Sequence, residues 1–417
     1  SAPAKNMFLL KEIKRKLFPF YKDKNIKKIF KILNTNNENN AMLVGGCVRK
    51  FLSKEKINDI DIATSLTPSE VIKKFVGSEF EVKRTGIEHG TLTLVRERET
   101  FEVTTLREDI STDGRHANVS FTKDWKKDSE RRDFTINSIY MDSNGKIFDP
   151  QNGVQDLKNR KVNFIGDANL RIQEDYLRIL RYLRFSLQYD NKFDEKTIKF
   201  IKLNLSGFNN LSKERVYSEL LKILDIENFQ KKIISNTHLI EIFNIIFPEF
   251  KYIDRLKKNK NLLTSKLSKY MLLGILIVDE SNNHEYFCYK YGVSNELTKN
   301  LNYLSDGLSK LNKEKNFFKQ NIKKNLYYYG KDVVRDLNLL SFFQNKSKSQ
   351  KNYIKIEKEI DDISIPKFPY DGKFLLSKGF SEGKKIGKVI KEIEKKWIEN
   401  EFQLDDEQLG SLLKKHI

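Results

Sequence analysis

The chain has 417 residues, enough for roughly two to four domains of ordinary size. Its 77 Lys and Arg outnumber 57 Asp and Glu, a net charge of +20 that attracts polyanions, nucleic acid first among them. The lysines are scattered throughout, so a plain compositional bias fits as well and charge alone decides little. Two cysteines, Cys47 and Cys288, without any Cys/His cluster, argue against a disulfide scaffold or a zinc site and fit a reducing compartment.

Residues 8–34 read as a basic amphipathic helix, closed by the polar run "NTNNENN". No apolar run approaches the length of a membrane span. The N-terminus lacks a signal peptide's apolar core, and Glu12 and Asp23 count against a transit peptide. The cytoplasm is therefore the expected compartment, with the mitochondrion as the alternative if this segment is a targeting remnant. From 41 to about 150 the pattern changes to short β-rich runs, "AMLVGG", "DIDIAT", "GTLTLV", "FEVTTL" and "IYMD". The helix "TPSEVIKKF" lies among them, with Thr67 as N-cap and Pro68 at its first position.

From about 168 strand signals nearly vanish. "ANLRIQEDYLRILRYLRFSLQY" opens a series of helices that includes "KERVYSELLKILDI" and "KKIISNTHLIEIFNIIF". The expected fold is an α+β head, a small mixed sheet with helices, followed by an elongated all-α region. Its divisions are a basic N-terminal helix (1–40), a head (41–165), a helical neck (166–235), a helical body (236–345) and a helical tail (346–417).

"LVGGCVRKFLSKEKINDIDIATSL", residues 43–66, gathers acids in a strongly basic chain. On a strand Asp59 and Asp61 project to one side while Ile60 and Ile62 turn into the core. Two adjacent carboxylates repel unless a cation neutralises them, and hard oxygen ligands of this kind suit Mg²⁺. Gly45 and Gly46 end a β-rich run before the possible helix "CVRKFL". Glycines there let backbone amides approach a phosphate, with Arg49 one turn in. Either feature alone also fits a tight turn or an exposed acidic strand; the combination is more specific.

"GGCVRK" followed by "DID" resembles the opening motif of the DNA polymerase β-type nucleotidyltransferase superfamily. More narrowly it is similar to class II tRNA nucleotidyltransferases, the CCA-adding enzymes, and to bacterial poly(A) polymerases. "HGTLTLV", "EVTTLREDISTDGRHANVSF", "RRDFTINSIYMD" and "RIQEDYLRILRYLRF" match successive family motifs in order. The resemblance is strong over about 40–235 and returns at "IPKFPYDGKFLLSKGFSEGKKIGKVI"; residues 236–350 carry none. It implies nucleotide contacts from Gly45, Gly46, Arg49 and Arg132, and metal binding by Asp59 and Asp61. It also implies that Asp133 and Asn137 shape the sugar and phosphate end of the pocket. Glu102 in "FEV" is the candidate third carboxylate, although an outward-facing strand acid fits it equally. Lys50 stands where relatives often have an acid, outside the implied metal set.

In "EDYLRILRYLRF", Asp175, Arg178, Arg181 and Arg184 recur at steps of three, each slipping by roughly 60° around a helix. Taken alone, this is an amphipathic helix with solvated ion pairs. The resemblance implies that Asp175 and Arg178 read the incoming base and that the following arginines support the nucleotide. A carboxylate accepts from the amino group shared by C and A, and a guanidinium donates to ring acceptors; U and G present a carbonyl instead. The implied activity is template-independent addition of C, C and A to tRNA from CTP and ATP, using Mg²⁺. No membrane and no obligatory protein partner are expected. Against a poly(A) polymerase stands "GIEHGTLTLV" in place of a basic "GRRF…H" stretch, and against a CC-only member the intact "LREDISTDGRHANVSF". An A-only member stays open beside these. A purely RNA-binding protein would not need Asp59, Asp61 and Arg132.

Overall fold

A computed structural model describes residues 19–35, 38–112, 117–258, 267–380 and 383–416. Residues 8–18 of the expected N-terminal helix lie outside the described residues, as do residues 113–116 of the "LREDISTDGRHANVSF" segment. Two compact units form, Ser1–Pro248 and Glu249–Ile417.

The first unit opens with a 3₁₀ turn, Phe20–Lys22, and α1, Lys24–Leu33. The Asp23 carboxylate accepts from the amides of Asn25 and Ile26, so the described helix starts at Lys24. The head then runs β1 (Ala41–Val44), α2 (Gly46–Leu52), β2 (Asp61–Thr64), α3 (Pro68–Phe75), β3 (Glu81–Lys83), β4 (Thr91–Arg96) and β5 (Glu99–Thr105). The hairpin β6 (Arg107–Thr112) and β7 (Ala117–Phe121) follows, then α4 (Trp125–Glu130), β8 (Tyr140–Met141), β9 (Ile147–Phe148) and α5 (Gly153–Lys158). α3 starts where its signals place it: Thr67 and Glu70 form a reciprocal capping box and Pro68 is the first helical residue.

The main sheet has seven strands in the order β3-β4-β5-β2-β1-β8-β9. All neighbours are antiparallel except β2 and β5, which run parallel. Alternation divides its faces. Leu43, Ile62, Phe101 and Val103 join α1, α2 and α3 in the larger core, while Met42, Val44, Ala63 and Tyr140 pack a smaller cluster on the other face.

The unit ends in helices: α6 (Ala168–Glu174), α7 (Leu177–Gln188), α8 (Glu195–Asn204), α9 (Lys213–Leu224), α10 (Phe229–Ile234) and α11 (Thr237–Ile246). Two runs expected as continuous are broken. The 168–189 run separates at Asp175, and the 231–247 run at Asn236, whose side chain caps α11.

The second unit is helical among its described residues: α12 (Lys269–Ile277), α13 (Asn283–Tyr291), α14 (Asn295–Lys313), α15 (Ile322–Gln344), α16 (Gln350–Asp362), α17 (Gly372–Ser377), α18 (Lys384–Glu399) and α19 (Asp406–Lys414). α12 is buried from Met271 through Ile277. Arg255 closes its end, donating from Nη1 to the carbonyls of Ile275 at 3.0 Å and Val278 at 2.7 Å. α15 is interrupted by a non-helical residue at Gly330. Leu375, Phe380, Val389, Ile393, Leu412 and Leu413 make a separate small core for the last three helices. No helix among the described residues is long and apolar enough to cross a membrane.

Candidate active site

β2 lies between β1 and β5, and its first residue, Asp61, is in parallel register with Glu102 of β5. Ile62 and Val103 turn into the larger core, so Asp61 and Glu102 stand side by side on the opposite face. Asp59 is exposed in the lead-in to the strand, where the Glu102 amide donates to Ile60 O at 3.0 Å. The regular strand therefore begins at Asp61, two residues after the first acid. Burial, then repulsion from Glu102 and Asp59, pushes the Asp61 carboxyl up to about 6 against the pull of Arg132 and Arg49. Glu102 and Asp59 thus both act electrostatically on Asp61. Cys47 lies beneath them, donating its thiol to Val44 O at 3.3 Å and Asp61 O at 3.7 Å; burial pushes it up to about 12. It is a packed, inert thiol.

The double glycine is bracketed by two guanidiniums. Gly45 adopts φ 70°, ψ −125°, a conformation that L side chains rarely take, and this turns the chain from β1 into α2. A Cβ at Gly45 would lie 3.8 Å from Arg132 Nη1, and one at Gly46 would lie 3.9 Å from Arg49 Nη2. Positive groups from two separate segments thus converge on this turn.

Arg132 is held by Asp128, a residue the sequence did not single out. Arg132 donates from Nε and Nη2 to Asp128 Oδ2 at 3.3 and 3.1 Å. The Tyr140 hydroxyl donates to the same oxygen at 2.6 Å, while Arg131 Nε donates to Oδ1 at 2.9 Å. Asp128 is 1% exposed. Burial alone would raise its carboxyl, but Arg132, Arg131 and Tyr140 hold it down at about 2. The available signal was an acid one helical turn before the first arginine of "RRDFTIN".

Arg49 is buried. Its Nε donates to Tyr189 Oη at 2.8 Å, its Nη1 to Asn137 Oδ1, and its guanidinium lies 4.5 Å from the Phe185 ring centre. Asn137 Nδ2 donates to Asp133 Oδ1 at 2.9 Å, and Arg181 donates from Nε and Nη2 to Asp133 Oδ2, both at 2.6 Å. Asp133, like Asn137, is buried, and chiefly through Arg181 its carboxyl is held near 2 against the effect of burial. These two side chains therefore link Arg49 to Arg181 within the protein. Phe185, missed in the sequence, is the hub: Arg181 and Arg184 also lie 5.5 and 4.2 Å from its ring centre.

The expected continuous helix through Asp175 and Arg184 is not formed. α6 ends at Glu174, Asp175 is extended at φ −153°, and α7 begins at Leu177. Arg171 Nη2 donates to the carbonyls of Arg131 and Arg132 at 2.6 and 2.8 Å, tying α6 to the head. Asp175 Oδ2 accepts from Arg215 Nη2 at 2.7 Å, and its Oδ1 from the Leu177 amide at 3.2 Å. Arg178 Nη1 donates to Glu174 Oε2 at 2.6 Å and Arg171 O at 2.7 Å. Arg184 Nε donates to Glu219 Oε1. Asp175 and Arg178 are thus adjacent in the chain's path, each oriented by other side chains rather than by a mutual ion pair. A cavity of about 850 Å³ in the same unit is lined by Asn163, Phe164, Tyr182 and Phe200, away from the acid strand.

Residues 41–163 match the poly(A) polymerase head domain. The similarity to individual proteins extends well past that head. The human CCA tRNA nucleotidyltransferase 1, mitochondrial, is 34% identical over 387 residues, covering 89% of this chain and 86% of its own length. A CCA-adding enzyme from Streptococcus uberis is 29% identical over 377 residues, 86% of this chain and 88% of that protein. The fold matches the crystal structure of the Bacillus stearothermophilus CCA-adding enzyme in complex with CTP, with TM-score 0.73 and 22% identity over 94% of this chain and 98% of that one. It also matches the Thermotoga maritima CCA-adding enzyme complexed with tRNA, with TM-score 0.63 and 21% identity over 96% and 98% of the two chains. An α+β head followed by helices is thus the architecture of these proteins, and with a relative this similar along nearly its whole length, the chain belongs to the CCA tRNA nucleotidyltransferase family.

Proposed function

We propose that this chain adds C, C and A to the 3′ end of tRNA from CTP and ATP, releasing pyrophosphate. The observation that carries this reading is similarity to a CCA tRNA nucleotidyltransferase along 86% of that relative, since the head alone also matches poly(A) polymerases. Asp59 and Asp61, with Glu102 beside Asp61, are proposed to hold divalent metal. The donor set fits: hard oxygens only, with the Asp61 carboxyl pushed up to about 6 by its burial and by the other two acids, a strain that a cation relieves. Among the described residues no group of three or more such side chains could hold an ion by itself, so water and phosphate oxygens would have to complete the shell of a bound Mg²⁺. Bound there, Mg²⁺ would supply charge neutralisation for nucleotidyl transfer.

The protein's own part is orientation. Gly45 and Gly46 allow the backbone to approach the triphosphate, and Arg132 and Arg49 oppose its charge. Asp133 and Asn137 keep Arg49 and Arg181 in register with each other. Asp175 and Arg178 read the amino-bearing edge of the base, with Arg181 and Arg184 supporting the nucleotide. The neck (166–235) thus reads the nucleotide, while the body and tail (236–417) are proposed to hold tRNA. Cys47 and Cys288 are free buried thiols, which fits a reducing compartment, cytoplasm or mitochondrion; the human relative is named mitochondrial.

The test supplies tRNA lacking its 3′ end with each labelled nucleotide singly and in pairs. Incorporation of CMP from CTP alone, followed by one AMP when ATP is added, is expected; a long A tract or CMP only would overturn the reading. Asp61→Ala is expected to abolish incorporation at limiting Mg²⁺ while tRNA affinity in a filter-binding assay is retained. Near-normal turnover of that variant would remove Asp61 from the metal set.

A further inference from the structure

A cavity of about 790 Å³ lies within the second unit, a size that suits a small molecule, and lysines dominate its wall. Lys315 and Lys319 come from the segment between α14 and α15, Lys348 from the turn between α15 and α16, and Lys355 from α16. Glu314 and Glu359 line it too, but Glu314 accepts from Asn321 Nδ2 at 3.3 Å and Glu359 lies 3.8 Å from Lys355 Nζ. Four cations against two acids concentrate anions in such a cleft.

Lys348 differs from the other three. Its Nζ donates to Asn338 Oδ1 at 3.2 Å and Ser341 Oγ at 3.1 Å, and lies 4.7 Å from the Phe318 ring centre. Ser341 and Phe318 themselves line the cavity, so Nζ stands at its wall. Asn338 is held for this contact, since its Nδ2 donates to Tyr353 O at 3.2 Å and Glu357 Oε1 at 2.7 Å. Both acceptors of the lysine are neutral. A neutral amine has two hydrogens and a lone pair; with both hydrogens donated here, the lone pair is left for a reaction partner. Burial, then the charge of Lys258, pulls the Lys348 amine down to about 8 from an ordinary 10.5, against weaker opposition from Glu357. Lys258 is spent differently. Its Nζ donates to the carbonyls of Phe342, Asn345 and Lys348, which occupies all three ammonium hydrogens and ties down the turn that carries Lys348.

We propose that Lys348 is a covalent acylation site, its Nζ taking an acyl group from a phosphate-bearing carrier, either an acyl phosphate or the thioester of a phosphorylated thiol. The lone pair attacks the acyl carbon and a C–N bond forms. The acyl–oxygen or acyl–sulfur bond breaks, phosphate or thiolate leaves with the electron pair, and the nitrogen gives one proton to solvent. Lys315, Lys319 and Lys355 hold the donor's phosphate beside the amine. The amide formed is neutral, so the cavity loses one of its four positive charges. Nothing in this step depends on the reading of tRNA 3′-end addition.

The experiment incubates the full chain with acetyl phosphate, acetyl-coenzyme A or a neutral acetyl ester, and follows every lysine by peptide mass spectrometry. Near pH 7.5 the neutral fraction of Lys348 is on the order of 10²-fold above that of an ordinary lysine, and a Brønsted slope like that of thiols takes back about tenfold. Lys348 is thus expected to react about tenfold faster than exposed Lys346 with the neutral ester, and to level off above about pH 8 while Lys346 continues to climb. Urea is expected to abolish the preference. The Lys315→Gln/Lys319→Gln/Lys355→Gln variant, checked by thermal melting, is expected to slow the phosphate-bearing donors at Lys348 roughly tenfold, the low end for a charged cleft, and the neutral ester little. Whichever of the two anionic donors shows this slowing is the carrier class. Equal rates at Lys348 and Lys346, or a preference that survives urea, overturn the proposal. So does a fast Lys348 whose reaction with both anionic donors ignores the three lysines, because the cavity then plays no part.

Discussion

Asp128 decides where Arg131 and Arg132 can point. Its two oxygens accept from three side chains, Arg131, Arg132 (through both Nε and Nη2) and Tyr140, together with the Arg107 amide. Removing the charge leaves buried guanidinium uncompensated, which typically costs several times more than an exposed ion pair. Asp128→Asn is therefore expected to destabilise the chain by roughly 3 kcal/mol in urea titrations at neutral pH. The carboxyl is depressed to about 2 from an ordinary 3.8, so its contribution is complete above about pH 4 and is lost as pH falls through about 2. The wild type should lose stability along that acid limb, and the variant should show a shallower one. Identical limbs would mean that Asp128 is not the group titrating. Asp133, also near 2, keeps part of the slope in both proteins.

At the scale of elements, legibility followed whether a segment's structure is set locally. α3 was readable because Thr67, Pro68 and Glu70 carry its cap and first turn themselves. β1 was readable as a short β-rich apolar run and β2 from the alternation of acids with isoleucines, which also separates Ile62 from the acid face. The break at Asp175 was not. "RIQEDYLR" contains neither Gly nor Pro, and the interruption accompanies bonds from Arg171 to the head and from Arg215 to Asp175, residues distant in sequence. The break at Asn236 did carry its signal, a Ser-Asn pair before Thr237, which the helical run around it obscured. Gly153 is legible only in three dimensions. A Cβ there would lie 2.1 Å from Thr135 O and 2.9 Å from an Ile139 side-chain carbon. Thr135 opens the 3₁₀ turn that carries Asn137, the partner of Arg49. Gly153→Ala is thus expected to cost about 1–3 kcal/mol in melting experiments, the usual price of overpacking, and to raise KM for CTP by displacing Arg49. Unchanged stability would show that α5 moves away from the turn freely.

For the whole molecule, the charge left undecided by composition can be divided. Arg49, Arg132, Arg181 and Arg184 are engaged by Asn137, Asp128, Asp133 and Glu219, so they form a fixed site and are not part of a loose polycationic coat. The scattered lysines supply most of the remaining excess in a net charge of +20. A surface of that kind gains affinity for RNA by releasing counterions from phosphate, without regard to sequence. Binding of trimmed tRNA is therefore expected to fall steeply with salt. If about 6–10 phosphates are contacted, as in typical complexes, affinity should drop roughly 10³–10⁵-fold between about 50 and 200 mM. Several tRNA species should share one slope, because backbone and shape are what the lysines sense. CTP carries far fewer charges and meets arginines already oriented by internal partners, so its affinity should respond much less over the same range. Filter binding for tRNA and equilibrium dialysis for CTP, each against salt, give the two slopes. A shallow tRNA slope, or slopes that differ between tRNA species, would mean that a few specific contacts hold the RNA, and the basic excess would then be compositional after all.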